Sequence, residues 1–264
     1  MTTLNKQHGF TLVELAIVMT IIGLLIGGIL KGQELIQNAR ATATIAQVRS
    51  YEAATTTFRD TFAGLPGDMS NASQRLPGCT AACDAGAASA NNSIISDPNW
   101  SATWGNNQAL PSGGGAGVHR EAILFWTHLL QADLITGTSI QALTVTNYAL
   151  GVTNPTAPIG GGFVVGYANG TQPLPGNVAV GSNPSGHVLA IVGSLTGGLT
   201  TGAGTQALTP AKAALIDRKM DDGRPTSGFV QAYGVQASCV VDAATSAYAE
   251  LVTGRDCGLV FRIQ

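Results

Sequence analysis

The chain has 264 residues and a formal net charge of -2, and only 11% of its residues are Asp, Glu, Lys or Arg. A near-neutral chain lacks the general basic footprint of a nucleic-acid binder, and a hydrophobic fraction of 45% excludes a disordered one. Low charge together with 34 glycines reads as an exported, loop-rich chain of one large or two small domains.

The first element is an apolar run from Phe10 to Leu30. At about 21 residues it is long enough to cross roughly 30 Å of hydrocarbon as a helix. No later segment matches it; Leu189 to Leu199 is apolar but short and Gly-rich, which favours a strand. Lys6 and the amino group precede the span, and the positive-inside tendency places that end in the cytoplasm on the strength of one Lys. A secretory signal would carry its small-residue cleavage site after the apolar core. Here the small residue, Gly9, comes before it. A cut there removes residues 1–9 as a leader and leaves the hydrophobic helix, residues 10–30, on the product.

Glu14 is the anomaly in this run. An acid inside a spanning helix costs at least about 2.5–3.5 kcal/mol on insertion scales, so it needs a partner. Cleavage after Gly9 would create one, the new α-amino group of Phe10. That cation can meet Glu14 within one helix at i, i+4, or meet the Glu of a staggered neighbour in a parallel bundle. The plainer alternative places Glu14 near the interface, snorkelling to water.

The segment Gly9-Phe10-Thr11-Leu12-Val13-Glu14-Leu15 resembles the amino-terminal signal of type IV pilins and type II secretion pseudopilins. The resemblance covers about the first 60 residues. It implies cleavage between Gly9 and Phe10 by a prepilin peptidase, N-methylation of Phe10, and pairing of Glu14 with the amino terminus of an adjacent subunit. It further implies a helical filament of this and other pilin subunits and an inner-membrane assembly platform, with no nucleic acid required. Before assembly the chain would sit in the bacterial inner membrane, head in the periplasm; afterwards in a filament in the periplasm or at the cell surface. In one respect the chain departs from many type IV pilins, which carry a Pro where Lys31 stands. Gly27, Gly28 and Gly32 would supply a soft point there instead, since each weakens a helix by roughly 0.8–1 kcal/mol relative to Ala.

Beyond Leu30 the helical period continues. Leu35, Ala39, Thr42, Ala43, Ala46, Ala54, Phe58 and Phe62 form an apolar or small-residue stripe, with most charges off it. This predicts an amphipathic continuation over residues 31–62, one helix from Phe10 to about Thr61 that packs on its own head or in a filament core. Leu65-Pro66-Gly67-Asp68 reads as the turn that ends it. Residues 63–264 then form the head. Residues 70–118, rich in Ser, Asn, Ala and Gly, read as surface loop. A second helix is expected from His119 to Ile135 and a third from Pro210 to Met220, with Thr209 as N-cap. Strands are expected at Leu143–Leu150, Gly162–Tyr167, His187–Val192, Phe229–Tyr233 and Leu259–Ile263. The fold class is therefore α+β, a long amino-terminal helix on an antiparallel sheet, pilin-like.

Four cysteines in an exported chain read as disulfides with three possible connectivities. The local pairs Cys79–Cys83 and Cys239–Cys257 are the favoured ones. The second would bound a carboxyl-terminal region similar to the disulfide-bounded region of many type IV pilins. Zinc is disfavoured, because His119, His128 and His187 are scattered; His119 and His128 read as exposed or hydrogen-bonded helix residues. Asp217, Asp221 and Asp222 crowd the end of the third helix, where the macrodipole disfavours anions. Pairing with Arg218, Lys219 or Arg224 plus a turn at Asp222-Gly223 accounts for them. The sharper alternative is a calcium ion, which some major pseudopilins bind; no other cofactor is expected. No phosphate-binding, zinc-protease or nucleophile-elbow motif is present, so no enzymatic activity is expected. The rival from another class is a membrane-anchored exported hydrolase or binding module.

Overall fold

The computed structural model describes residues 11–86, 90–95, 120–137, 150–169, 184–194, 204–235, 237–242 and 246–263. The leader, Gly9 and Phe10 lie outside the described residues. The chain divides after Arg40 into two compact units.

Helix α1 runs from Leu12 to Phe62, 51 residues. From Leu12 to Ile36 its large apolar side chains are all exposed. This stretch is long and apolar enough to cross a membrane. The helix continues unbroken through Gly27, Gly28 and Gly32, so the expected soft point is not a break in this structure. Backbone i to i−4 bonds carry the helix through residues that lack side-chain support.

In the second unit α1 buries Ala41, Thr44, Ile45, Val48, Tyr51, Ala54, Thr55 and Phe58. Ala54 and Phe58 of the expected stripe are buried, but its first part is corrected: Leu35, Ala39, Thr42, Ala43 and Ala46 are exposed, and Ala41, Thr44, Ile45 and Val48 are buried instead. The reason is side-chain size. Burying an Ile, Val or aromatic side chain is worth about 1.5–3 kcal/mol, and Ile45, Val48 and Tyr51 outweigh a row of Ala and Thr. Thr44 Oγ1 accepts from the Ile159 N–H at 3.2 Å, and Gln47 donates to the Thr156 carbonyl at 3.2 Å.

The helix stops where the chain turns left-handed at Ala63, φ 47°. The Arg75 guanidinium donates to the Phe62 carbonyl, satisfying one of the end acceptors. Leu65 to Asp68 is the expected turn, with the Asp68 N–H on the Leu65 carbonyl at 3.2 Å and Gly67 at φ +90°. The stretch expected as loop holds a short helix α2, Ala72–Arg75, and a 3-10 turn, Ala81–Cys83; residues 96–119 lie outside the described residues.

Helix α3 spans Arg120–Gln131 and α4 spans Pro210–Met220. The second of these matches its expected bounds. Thr209 is extended and precedes Pro210, but its side chain makes no capping hydrogen bond. Strands β1 (Gly162–Asn169), β2 (Ser185–Val192), β3 (Val230–Gly234) and β6 (Cys257–Ile263) form one sheet in the order β1-β2-β6-β3. All three pairings are antiparallel, with Val165 opposite Leu189, Leu189 opposite Phe261 and Phe261 opposite Val230. Strands β4 (Val240–Asp242) and β5 (Ala247–Tyr248) pair separately. Of the expected strand Leu143–Leu150, residues 143–149 lie outside the described residues, and Leu150 makes an isolated bridge to Asn154. Tyr51 of α1 stands edge-on to Trp126 of α3 and Phe163 of β1, with ring centroids 5.0 and 5.3 Å away. The core thus lies between the second half of α1, α3 and the sheet.

Candidate functional site

Thr11 is the N-cap of α1. Its carbonyl accepts the first helical bond, from the Leu15 N–H at 3.2 Å. Its hydroxyl oxygen accepts from the Glu14 N–H at 3.3 Å. In return Glu14 Oε2 accepts from the Thr11 N–H at 2.9 Å and from the Thr11 hydroxyl at 2.8 Å. This is a capping box, in which two end donors are satisfied reciprocally. An anion in the first turn also suits the helix dipole. Glu14 stands out in the sequence by its charge alone; Thr-x-x-Glu before an apolar run is the signature that also marks Thr11. Further along, Lys31 and Glu34 pair at 2.6 Å on an exposed turn, a contact worth only a few tenths of a kcal/mol.

In the head, both expected disulfides are present. Cys79–Cys83 and Cys239–Cys257 have Cα separations of 5.7 and 5.1 Å, within the usual range. The second ties the start of β4 to the start of β6 and encloses β5. That enclosed segment exposes Val241 and Leu251.

His128 is fully buried in α3. Its Nδ1 accepts from the Gly67 N–H at 2.8 Å and its Nε2 reaches the Cys83 carbonyl at 2.9 Å. It is a hydrogen-bonded helix residue, as expected, and burial lowers its pKa to about 4. His187, partly buried, is also lowered to about 4, by burial first and then by the Arg59 cation. His119 lies outside the described residues.

The structure brings Asp217, Asp221 and Asp222 together, with a carboxylate oxygen of each within 4.8 Å of the others. The expected pairing with neighbouring cations is corrected. Arg218 turns to Glu250 instead, and Lys219 donates to Thr42 Oγ1 at 3.3 Å. What offsets the charges is the turn. Asp217 accepts from the Gly223 N–H at 3.2 Å and the Tyr248 hydroxyl at 2.7 Å. Asp221 Oδ2 accepts from the Phe229 N–H and from the Val230 N–H, the latter at 2.9 Å. Asp222 accepts from the Arg224 N–H at 2.9 Å and the Ser227 hydroxyl at 2.7 Å. Backbone N–H groups succeed where flexible cations do not, because folding has already fixed them in place. Asp217 is buried, and burial raises its pKa to about 6 against the pull of these donors. An all-oxygen set of three carboxylates is the donor chemistry of a hard cation, so the cluster could coordinate a divalent ion.

A family model described as the prokaryotic N-terminal methylation motif matches residues 4–30. No curated protein and no solved structure matches the chain. The matched residues run into the span-length apolar helix α1, and a prepilin-type methylation motif on such a helix supports a pilin- or pseudopilin-type subunit.

Proposed function

We propose that the chain is a structural subunit of a type IV pilus-like filament. In this reading residues 1–9 are a leader, residues 10–30 hold the precursor in the inner membrane, residues 31–62 extend the helix, and residues 63–264 form a periplasmic head. A prepilin peptidase hydrolyses the Gly9–Phe10 bond on the cytoplasmic side, and Phe10 is N-methylated. Subunits then leave the bilayer through an assembly platform and stack by their helices, each Glu14 facing the amino group of a neighbouring Phe10. The observation that carries this reading is an acidic Glu14 at the head of an exposed apolar helix, inside the methylation motif. In lipid that charge is costly unless a cation meets it, and a neighbouring amino terminus is such a cation. The head acts as filament surface and carries no catalytic role.

Gly9→Val and Glu14→Ala test the reading. The first should leave the leader attached by mass spectrometry; the second should be cleaved but fail to assemble. Normal function with an uncleaved leader would instead identify a plain membrane anchor carrying a binding module or hydrolase.

The second reading is a pseudopilin of a type II secretion system. The Leu65–Asp68 turn that follows α1 favours it, because similar turns follow the long helix of pseudopilin-like proteins. The large head favours a pilin or minor pilin. Long surface fibres that vanish with the gene decide for the pilus. A calcium ion held by Asp217, Asp221 and Asp222 is compatible with either.

A further inference from the structure

We propose that Thr11 is a positioning residue for Glu14: it holds one carboxylate oxygen on its own helix and leaves the other to face a cation of a second copy of the chain. The inference rests on the assembly role of Glu14 proposed above.

The two oxygens of Glu14 are used unequally. Oε2 receives both donors of Thr11, at 2.9 and 2.8 Å. Among the described residues Oε1 has no hydrogen-bond partner, and Glu14 is exposed on the helix. A lone carboxylate on a flexible side chain would sample several rotamers, and ordering it on docking would cost entropy. The box removes that freedom beforehand. It also answers a problem peculiar to lipid. The first N–H groups of a helix have no partner within the helix and no water to turn to. Thr11 and Glu14 each satisfy an end donor of the other. Cleavage at Gly9–Phe10 leaves the Phe10–Thr11 peptide intact, so both Thr11 donors persist in the mature subunit. One residue thereby readies the carboxylate without consuming its capacity for a neighbour.

The experiment uses the full-length chain in its native membrane and in detergent micelles. Thr11→Val keeps the shape and removes the hydroxyl; Thr11→Ser keeps the hydroxyl. Two quantities are read: the fraction of cleaved chain that assembles, and hydrogen exchange at the Glu14 amide. Thr11→Val should lower assembly and speed exchange by about fivefold each, the ratio a single N-cap is worth. Thr11→Ser should restore both. In a Glu14→Ala background Thr11→Val should still speed exchange at residue 14, whose backbone N–H donates to the Thr11 hydroxyl with either side chain. Parent-like assembly or parent-like exchange in Thr11→Val overturns the inference. If Glu14→Ala stops assembly while Thr11→Val assembles like the parent, only this inference falls. If Glu14→Ala assembles like the parent, the role proposed for Glu14 falls with it.

Discussion

His128 joins the turn after α1 to the Cys79–Cys83 loop: its Nδ1 accepts from the Gly67 N–H at 2.8 Å, and its Nε2 reaches the Cys83 carbonyl at 2.9 Å. One ring nitrogen must accept and the other donate, so only the neutral Nε2–H tautomer fits both partners.

That requirement sets a pH dependence. His128 is lowered from 6.5 to about 4 in the folded chain by burial. Between those values the unfolded chain binds the extra proton and the folded chain does not. Stability is therefore retained above pH 6.5 and lost as pH falls from there to about 4. The loss should reach roughly 3 kcal/mol from this group. Urea unfolding at pH 7 and pH 5 checks it, and His128→Gln should flatten the slope.

Gly67 is the other half of that contact, and it has no room for a side chain. At φ +90° an added Cβ would lie 2.4 Å from the Glu121 carbonyl oxygen of α3. Gly67→Ala therefore meets both a left-handed backbone and a fixed backbone atom. It should cost roughly 2 kcal/mol or more, seen as a lower melting temperature. Gly27→Ala in α1, where an added Cβ meets nothing within 4 Å, should not destabilise.

The two disulfides should differ in worth. Cys239–Cys257 has a sequence separation of 18 and Cys79–Cys83 one of 4. In the chain-entropy model the longer loop gains more, about 3 kcal/mol. Replacing Cys239 and Cys257 by Ala should lower the melting temperature more than replacing Cys79 and Cys83. The comparison is a pair of thermal melts under non-reducing conditions.

Asp221 tests the acidic turn. Its Oδ2 supports two backbone N–H groups leading into β3. Asp221→Ala leaves both without that acceptor and should cost about 1–3 kcal/mol. Asp221→Asn keeps an acceptor oxygen and should cost less. If a divalent ion binds, calcium should raise the melting temperature of the parent and not that of Asp221→Asn. A parent melt unchanged by calcium or chelator counts against the ion.

Local signals were legible wherever neighbours in sequence make the element. The apolar run, the placement of Gly9 before it and the anomaly of Glu14 follow from composition along a single stretch. Pro210 at the first helical position marks α4, and close spacing marks both disulfides. The Thr11–Glu14 box was equally local and equally legible. Ala54 and Phe58 follow the expected stripe, and tertiary structure alone decided which face of α1 is buried over residues 41–48. Small residues at Thr42, Ala43 and Ala46 share the helical period with Ile45 and Val48, and only the opposing sheet and α3 select the larger row. It also decided the strand order, which brings β6 between β2 and β3, and the partners of the acidic turn. Those partners are backbone N–H groups and the hydroxyls of Ser227 and Tyr248, which reach the carboxylates only once the chain has folded around the end of α4. Sequence by itself thus marked the amino-terminal methylation motif and the span-length apolar helix. The head's faces and hydrogen bonds depend on contacts between distant residues, which no periodicity along one strand or helix encodes.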